Sequence, residues 1–108
     1  MGYSKFSESL DADEPTGKPY TFRIQVAAGD SVTSATALEV ESTSTQAAAL
    51  SLVTISQQSL GLISGTLYGL TFRAQGKGVP GPTYVRCRFS TQLGAGDDIT
   101  YRLDVTQR

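Results

Sequence analysis

The sequence contains no histidine, no tryptophan and a single cysteine, Cys87. Without histidine the commonest general base, proton shuttle and transition-metal ligand is missing, and one cysteine supplies neither an internal disulfide nor a cysteine zinc site. A serine or threonine nucleophile would have to lean on a lysine or a carboxylate, and no Gly-x-Ser-x-Gly elbow occurs; Ser64-Gly65 lacks the preceding glycine at the right spacing. The chain is therefore expected to be no enzyme and to need no cofactor or metal. Burial and hydrogen bonding alone must hold the fold, which suits synthesis in a reducing cytoplasm.

Charge of one sign is also scarce. Nine basic residues face ten acidic ones, a net charge of -1, so no excess exists to hold a nucleic-acid backbone or an anionic membrane surface. Long apolar runs are missing too. The stretches around Ala47 to Val53 and Leu60 to Ile63 are broken by serine or glycine and fall short of the ~20 residues that cross a bilayer. Met1-Gly2-Tyr3-Ser4-Lys5-Phe6 leads into Ser7-Glu8-Ser9-Leu10 without the apolar centre of a signal peptide, so no export is expected.

What is present points to strands. The 108 residues suffice for one domain with one core, and the composition, 39% hydrophobic and only 18% charged with eleven glycines, suits short strands and tight turns better than charged helices. Tyr20-Thr21-Phe22-Arg23-Ile24-Gln25-Val26 alternates without exception, setting Tyr20, Phe22, Ile24 and Val26 on one face. Leu38-Glu39-Val40-Glu41 alternates again, Leu50 to Ile55 reads as a strand, and Leu70 to Ala74 resumes the pattern after Gly61, Gly65 and Gly69, which suggest a turn and a bulge. Ala47-Ala48-Ala49-Leu50 is the one helical nucleus, too short and uncapped for a substantial helix.

Towards the C-terminus, Thr83 to Ser90 turns Val85, Cys87 and Phe89 one way and Tyr84, Arg86 and Arg88 the other, and Ile99 to Val105 alternates strictly. The turn from Gln92 to Asp98 makes these two a hairpin. The expected fold is an all-β, immunoglobulin-like antiparallel β-sandwich of about seven strands over residues 20–108, with a small barrel as the alternative. Residues 1–19 form an extended N-terminal arm or an edge strand with its loop, because Asp11 to Pro19 is rich in acids, glycine and proline.

The chemistry-bearing clusters read plainly. Gly76-Lys77-Gly78 has no helix behind it to aim donors at a phosphate and is expected to be a hairpin turn. Asp11, Asp13 and Glu14 lack the calcium-loop pattern and read as a solvated loop. Asp97 and Asp98 are neighbours on a strand, which point to opposite faces and do not share a proton. Tyr84, Arg86 and Arg88 share a face, either as a contact surface for an acidic partner or, the favoured alternative, as a solvated outer sheet face.

Two segments resemble a family of small immunoglobulin-like proteins of tailed-phage virions, the fibre-tail adaptors. One is the turn Ala27-Ala28-Gly29-Asp30-Ser31-Val32 running through Thr33-Ser34-Ala35-Thr36; the other is the C-terminal hairpin, with Gly76-Lys77-Gly78-Val79-Pro80-Gly81, Tyr84 to Thr91, Leu93-Gly94 and Ile99 to Val105. The chain departs from that pattern in lacking tryptophans before the glycine-rich turns and in lengthening the last turn with Ala95-Gly96-Asp97.

The resemblance implies a virion structural protein, made in the host bacterial cytoplasm, that links the portal, neck or tail ring to a fibre or neighbouring protein in symmetric copies. It implies no catalysis, no nucleic-acid contact and no membrane. The expected protein-contact residues are Tyr3 and Phe6 on the arm, Asp30, Ser31, Lys77 and Val79 on loops, and Tyr84, Arg86 and Arg88 on a strand. A capsid decoration or cement protein is the alternative. A carbohydrate- or surface-binding module is more distant, because no tryptophan offers a stacking platform and Tyr20, Tyr68 and Tyr101 are assigned to buried faces or turns.

Overall fold

The computed structural model describes residues 3–13, 16–40 and 51–107, with side chains described from residue 9 onward. The Ala47–Leu50 helical nucleus, Glu14, Glu41 and the side chains of Tyr3 and Phe6 lie outside the described residues. Seven strands follow one another: β1 (Tyr3–Asp11), β2 (Lys18–Gln25), β3 (Val32–Val40), β4 (Val53–Ser64), β5 (Leu67–Gly76), β6 (Gly81–Thr91) and β7 (Asp97–Thr106). No helix occurs among the described residues.

The strands form two sheets, ordered β1-β7-β6-β3 and β2-β5-β4. This is an immunoglobulin-like sandwich, in which β4-β5 and β6-β7 are hairpins within one layer and the other successive strands lie in opposite layers. All pairs are antiparallel except β1 with β7, which run parallel. The exception follows from the link after β1, which carries the chain across to the other sheet instead of folding it back. The N-terminal segment is thus an edge strand and not a free arm: Leu10 and Ala12 are buried, and the Ala12 N–H donates to the Thr106 carbonyl at 2.6 Å.

The alternation in β2 buries Tyr20, Phe22 and Ile24 while Thr21, Arg23 and Gln25 stay exposed. Phe22 joins the two layers. Its ring stacks on Phe72 of β5 at 5.4 Å and on Tyr101 of β7 at 4.2 Å, and Tyr20 extends the stack at 5.6 Å from Phe72. Each fully buried ring contributes about 1.5–3 kcal/mol through the area it removes from water. Both phenols find oxygen across the sandwich, Tyr20 donating to the Ser9 carbonyl at 3.0 Å and Tyr101 to the Thr21 carbonyl at 3.1 Å. Leu10, Val85, Cys87, Leu103 and Val105 fill the facing layer.

Several sequence expectations give way to packing. β4 does not end at Ile55 but runs on through Gly61 to Ser64, and its bulge lies at Gln57 and Gln58, where no glycine stands. Gln57 adopts the left-handed conformation, φ 53°. The turn expected near Gly65 does form, as the tight Gly65-Thr66 link with Gly65 at φ 56°. Gly76-Lys77-Gly78 is not a hairpin turn: it leads from β5 in one sheet to β6 in the other. Gly76 is needed there because a Cβ would come within 2.5 Å of the Ala12 carbonyl oxygen.

In β3 the expected alternation holds at Val40, which is buried, but fails at the two residues before it. Leu38 is half exposed, whereas Glu39 shares the inner face with Ala37 and is 7% exposed. Nor is the outer face of β6 wholly solvated, since Arg86 is buried.

Candidate interaction surfaces

The strand directions sort the loops to two ends. One end carries the link from β2 to β3, the Gly65-Thr66 turn and the turn from β6 to β7; the other carries the links from β1 to β2 and from β5 to β6. Asp30 and Ser31 lie at the first end and Lys77 and Val79 at the second, so the candidate loop residues are divided between opposite ends.

At the first end Asp30 works as a clamp. Its Oδ1 accepts from the Ser31 N–H at 2.8 Å and from the Leu93 N–H at 3.0 Å, tying the turn after β2 to the turn after β6. Ser31 adds to the tie, its carbonyl accepting from the Gln92 N–H at 2.9 Å and its hydroxyl donating to Gln92 Oε1 at 3.2 Å. Desolvation pushes the Asp30 carboxyl upward, but the Thr91 hydroxyl and the N–H groups of Leu93, Ser31 and Gln92 outweigh it and hold the group below its ordinary value. Leu93, at the tip of the same turn, is 70% exposed.

At the second end Lys77 anchors backbone to backbone, its N–H donating to the Leu52 carbonyl at 3.2 Å while Nζ reaches the Ser51 hydroxyl at 3.3 Å. Val79 beside it is half exposed.

Tyr84, Arg86 and Arg88 do share the outer face of β6. Asp98 stands directly opposite Arg88 on β7, with Oδ1 3.0 Å from Nε and Oδ2 3.5 Å from Nη2, and the same carboxylate lies 3.7 Å from Arg86 Nη1. One acid therefore serves both arginines, and the stripe presents less free positive charge to an acidic partner than its sequence suggests. Within β7, Arg102 pairs with Asp104 two residues on at 2.9 Å. Tyr3 and Phe6 lie on β1 at the edge of this sheet, with Tyr3 in register with Thr100.

No local sequence pattern announces the polar cluster on the flank between β3 and β4. Glu39 takes three donors there: the Ser51 hydroxyl at 2.7 Å on Oε1, and the Leu52 N–H at 2.9 Å and the Thr83 hydroxyl at 2.6 Å on Oε2. Gln58 reaches over from the β4 bulge, accepting from the Ala37 N–H at 2.8 Å and donating to the Ala37 carbonyl at 3.0 Å. Between them lies an open cleft of about 370 Å³ lined also by Val53 and Ile55. The carboxylate is committed to holding the segment before β4, so among the described residues the cleft has no free convergent catalytic or ligating group. No group of three or more metal-ligating side chains occurs among the described residues, and no helix among them is long and apolar enough to cross a membrane.

Inside the sandwich, burial and then the nearby Asp98 charge push the Cys87 thiol up to about 12, so it stays protonated and serves as packing. Comparison with known family models and with curated proteins finds no match.

Proposed function

We propose that the chain is a non-enzymatic structural protein of a tailed-phage virion, an adaptor that links the tail or neck assembly to a fibre or a neighbouring protein. The observation that supports this reading is the Asp30 clamp. The two segments that carry the family resemblance, the Gly29–Val32 turn and the C-terminal hairpin, are far apart in sequence yet are stitched together at one end by the Asp30 carboxylate.

A stitched end presents several loops as one rigid surface, with Leu93 standing out from it. Such a surface is suited to repeated docking in a symmetric assembly, because loops already ordered lose little entropy on binding. The opposite end, with Val79 exposed beside the anchored Lys77, offers a second contact, and an adaptor needs two.

Incorporation tests the proposal. A tagged chain supplied during infection should co-sediment with assembled particles and stay with the tail or neck fraction when particles are disrupted. Recovery only in the soluble fraction would contradict it.

A further inference from the structure

Among the described residues the two sheets have four edge strands, and three of them carry charges, a proline or a closing side chain that discourage further pairing. β1 contains Lys5, Glu8 and Asp11, β2 contains Lys18, Pro19 and Arg23, and β3 has the backbone of Ala37 closed by the Gln58 carboxamide. β4 has only its bulge and a second register shift to blunt the edge. Its twelve residues, Val53–Ser64, include no charge and no proline, although it is the edge of the β2-β5-β4 sheet.

The Gln57-Gln58 bulge interrupts the register at one point and a second shift follows Leu62, leaving Ser59–Leu62 as a regular stretch between them. At its end Leu62 and Ile63 are 60% and 47% exposed, adjacent in sequence and among the largest exposed apolar side chains.

We propose that this edge pairs with the β4 edge of a second copy of the chain, antiparallel about a two-fold axis, joining two three-stranded sheets into one of six strands. The sequence is self-complementary in this arrangement. A two-fold axis normal to the sheet must pass through a residue facing its own copy, because directly opposed residues share a face. With the axis at Gly61, Leu60 of each copy opposes Leu62 of the other within the regular stretch, so apolar groups meet and no charges are opposed. Glycine at the axis lets the two backbones approach closely, and a net charge of -1 per chain gives little repulsion between copies. The pairing rests on the edge alone and stands whether or not the chain belongs to a phage particle.

Two variants and a mass measurement test it. Opposed residues in an antiparallel pair have Cα atoms about 4.5–5.5 Å apart, within the about 4.4–6.8 Å that a disulfide spans. Gly61 has nothing within 4 Å of where a Cβ would stand, so Gly61→Cys is accommodated without strain. It should form a disulfide-linked dimer in air that reductant splits. Light scattering should find wild type shifting from monomer to dimer as protein is raised to about 1 mM, the weak end of specific association. Leu62→Lys should weaken the dimer at least tenfold with its circular dichroism unchanged, while Thr54→Lys, lower on β4, should leave it intact. A monomer at every concentration overturns the pairing and leaves the edge to a foreign strand. A dimer indifferent to Leu62→Lys and without the Gly61→Cys cross-link overturns it in favour of another surface.

Discussion

Gln58 completes the hydrogen bonding of Ala37 across the gap between the sheets, its carboxamide accepting from the Ala37 N–H at 2.8 Å and donating to the Ala37 carbonyl at 3.0 Å. A side chain of one edge strand thus makes the backbone contacts that a strand neighbour would make to another. The bulge at Gln57, φ 53°, turns the side chain towards β3, which gives a physical reason for an otherwise costly backbone conformation. Gln58→Ala should cost about 1–2 kcal/mol, two side chain to backbone hydrogen bonds of modest net worth. Gln58→Glu should cost at least as much, since it sets a carboxylate against the Ala37 carbonyl. Urea unfolding midpoints at constant slope measure both.

Glu39 should be the most sensitive polar residue. Its carboxylate takes the Ser51 hydroxyl, the Leu52 N–H and the Thr83 hydroxyl, so Glu39→Ala strands donors in a buried setting and should cost about 3–5 kcal/mol. Glu39→Gln keeps the shape but turns a donor towards donors, for an intermediate loss of about 1–2 kcal/mol. Thermal and urea denaturation of the two variants against wild type check the order.

Gly76→Ala should destabilise by about 2–3 kcal/mol, the upper part of the range for overpacking, because its Cβ would lie 2.5 Å from the Ala12 carbonyl oxygen and 2.7 Å from the Ala12 Cα. Both are backbone atoms, which cannot swing aside. Gly61→Ala, with open space at the same distance, should stay within about 0.5 kcal/mol of wild type and serves as the control.

The Asp30 clamp predicts an acid-sensitive end. Because the folded carboxyl titrates below its ordinary value, its contribution is present above the unfolded value of about 3.9 and is lost as pH falls through the lower folded value. Wild type should therefore exceed Asp30→Asn in stability at neutral pH, and the two should converge below pH ~3.9. A difference that stays constant with pH would show that the variant acts through something other than the charge. The protection factors of the Leu93 and Ser31 amides, the two N–H donors at 3.0 and 2.8 Å, should fall over the same window.

The parts legible in the sequence are those where one rule sufficed. The alternation from Tyr20 to Val26 marks β2 and its inward face because every polar residue there meets solvent, and the strands β6 and β7 show through the same rule. The rule fails where a polar residue is met by partners from distant segments. Glu39 reads as an outward residue, yet Ser51, Leu52 and Thr83 supply donors that no local pattern announces. Leu38 then faces solvent by the same alternation. Arg86 follows the pattern in direction but is buried, and the Gly76-Lys77-Gly78 link looks like a hairpin turn because composition says nothing about which sheet the next strand joins.

The site residues divide in the same way. Asp30 and Ser31 were legible as a turn, whereas their tie to Gln92 and Leu93 depends on two turns being brought to one end by the sandwich. Arg88 and Asp98 face each other only in the β6–β7 register, which the alternation permits but does not specify.

Location in an intact particle tests the central claim most directly. A cryo-electron microscopy map of the particle that carries this chain should show the two-layer sandwich at symmetric positions in the neck or tail, with the end built around Asp30 and Leu93 against a neighbouring protein. Copies spread over the capsid surface, or none in the particle, would contradict the adaptor account.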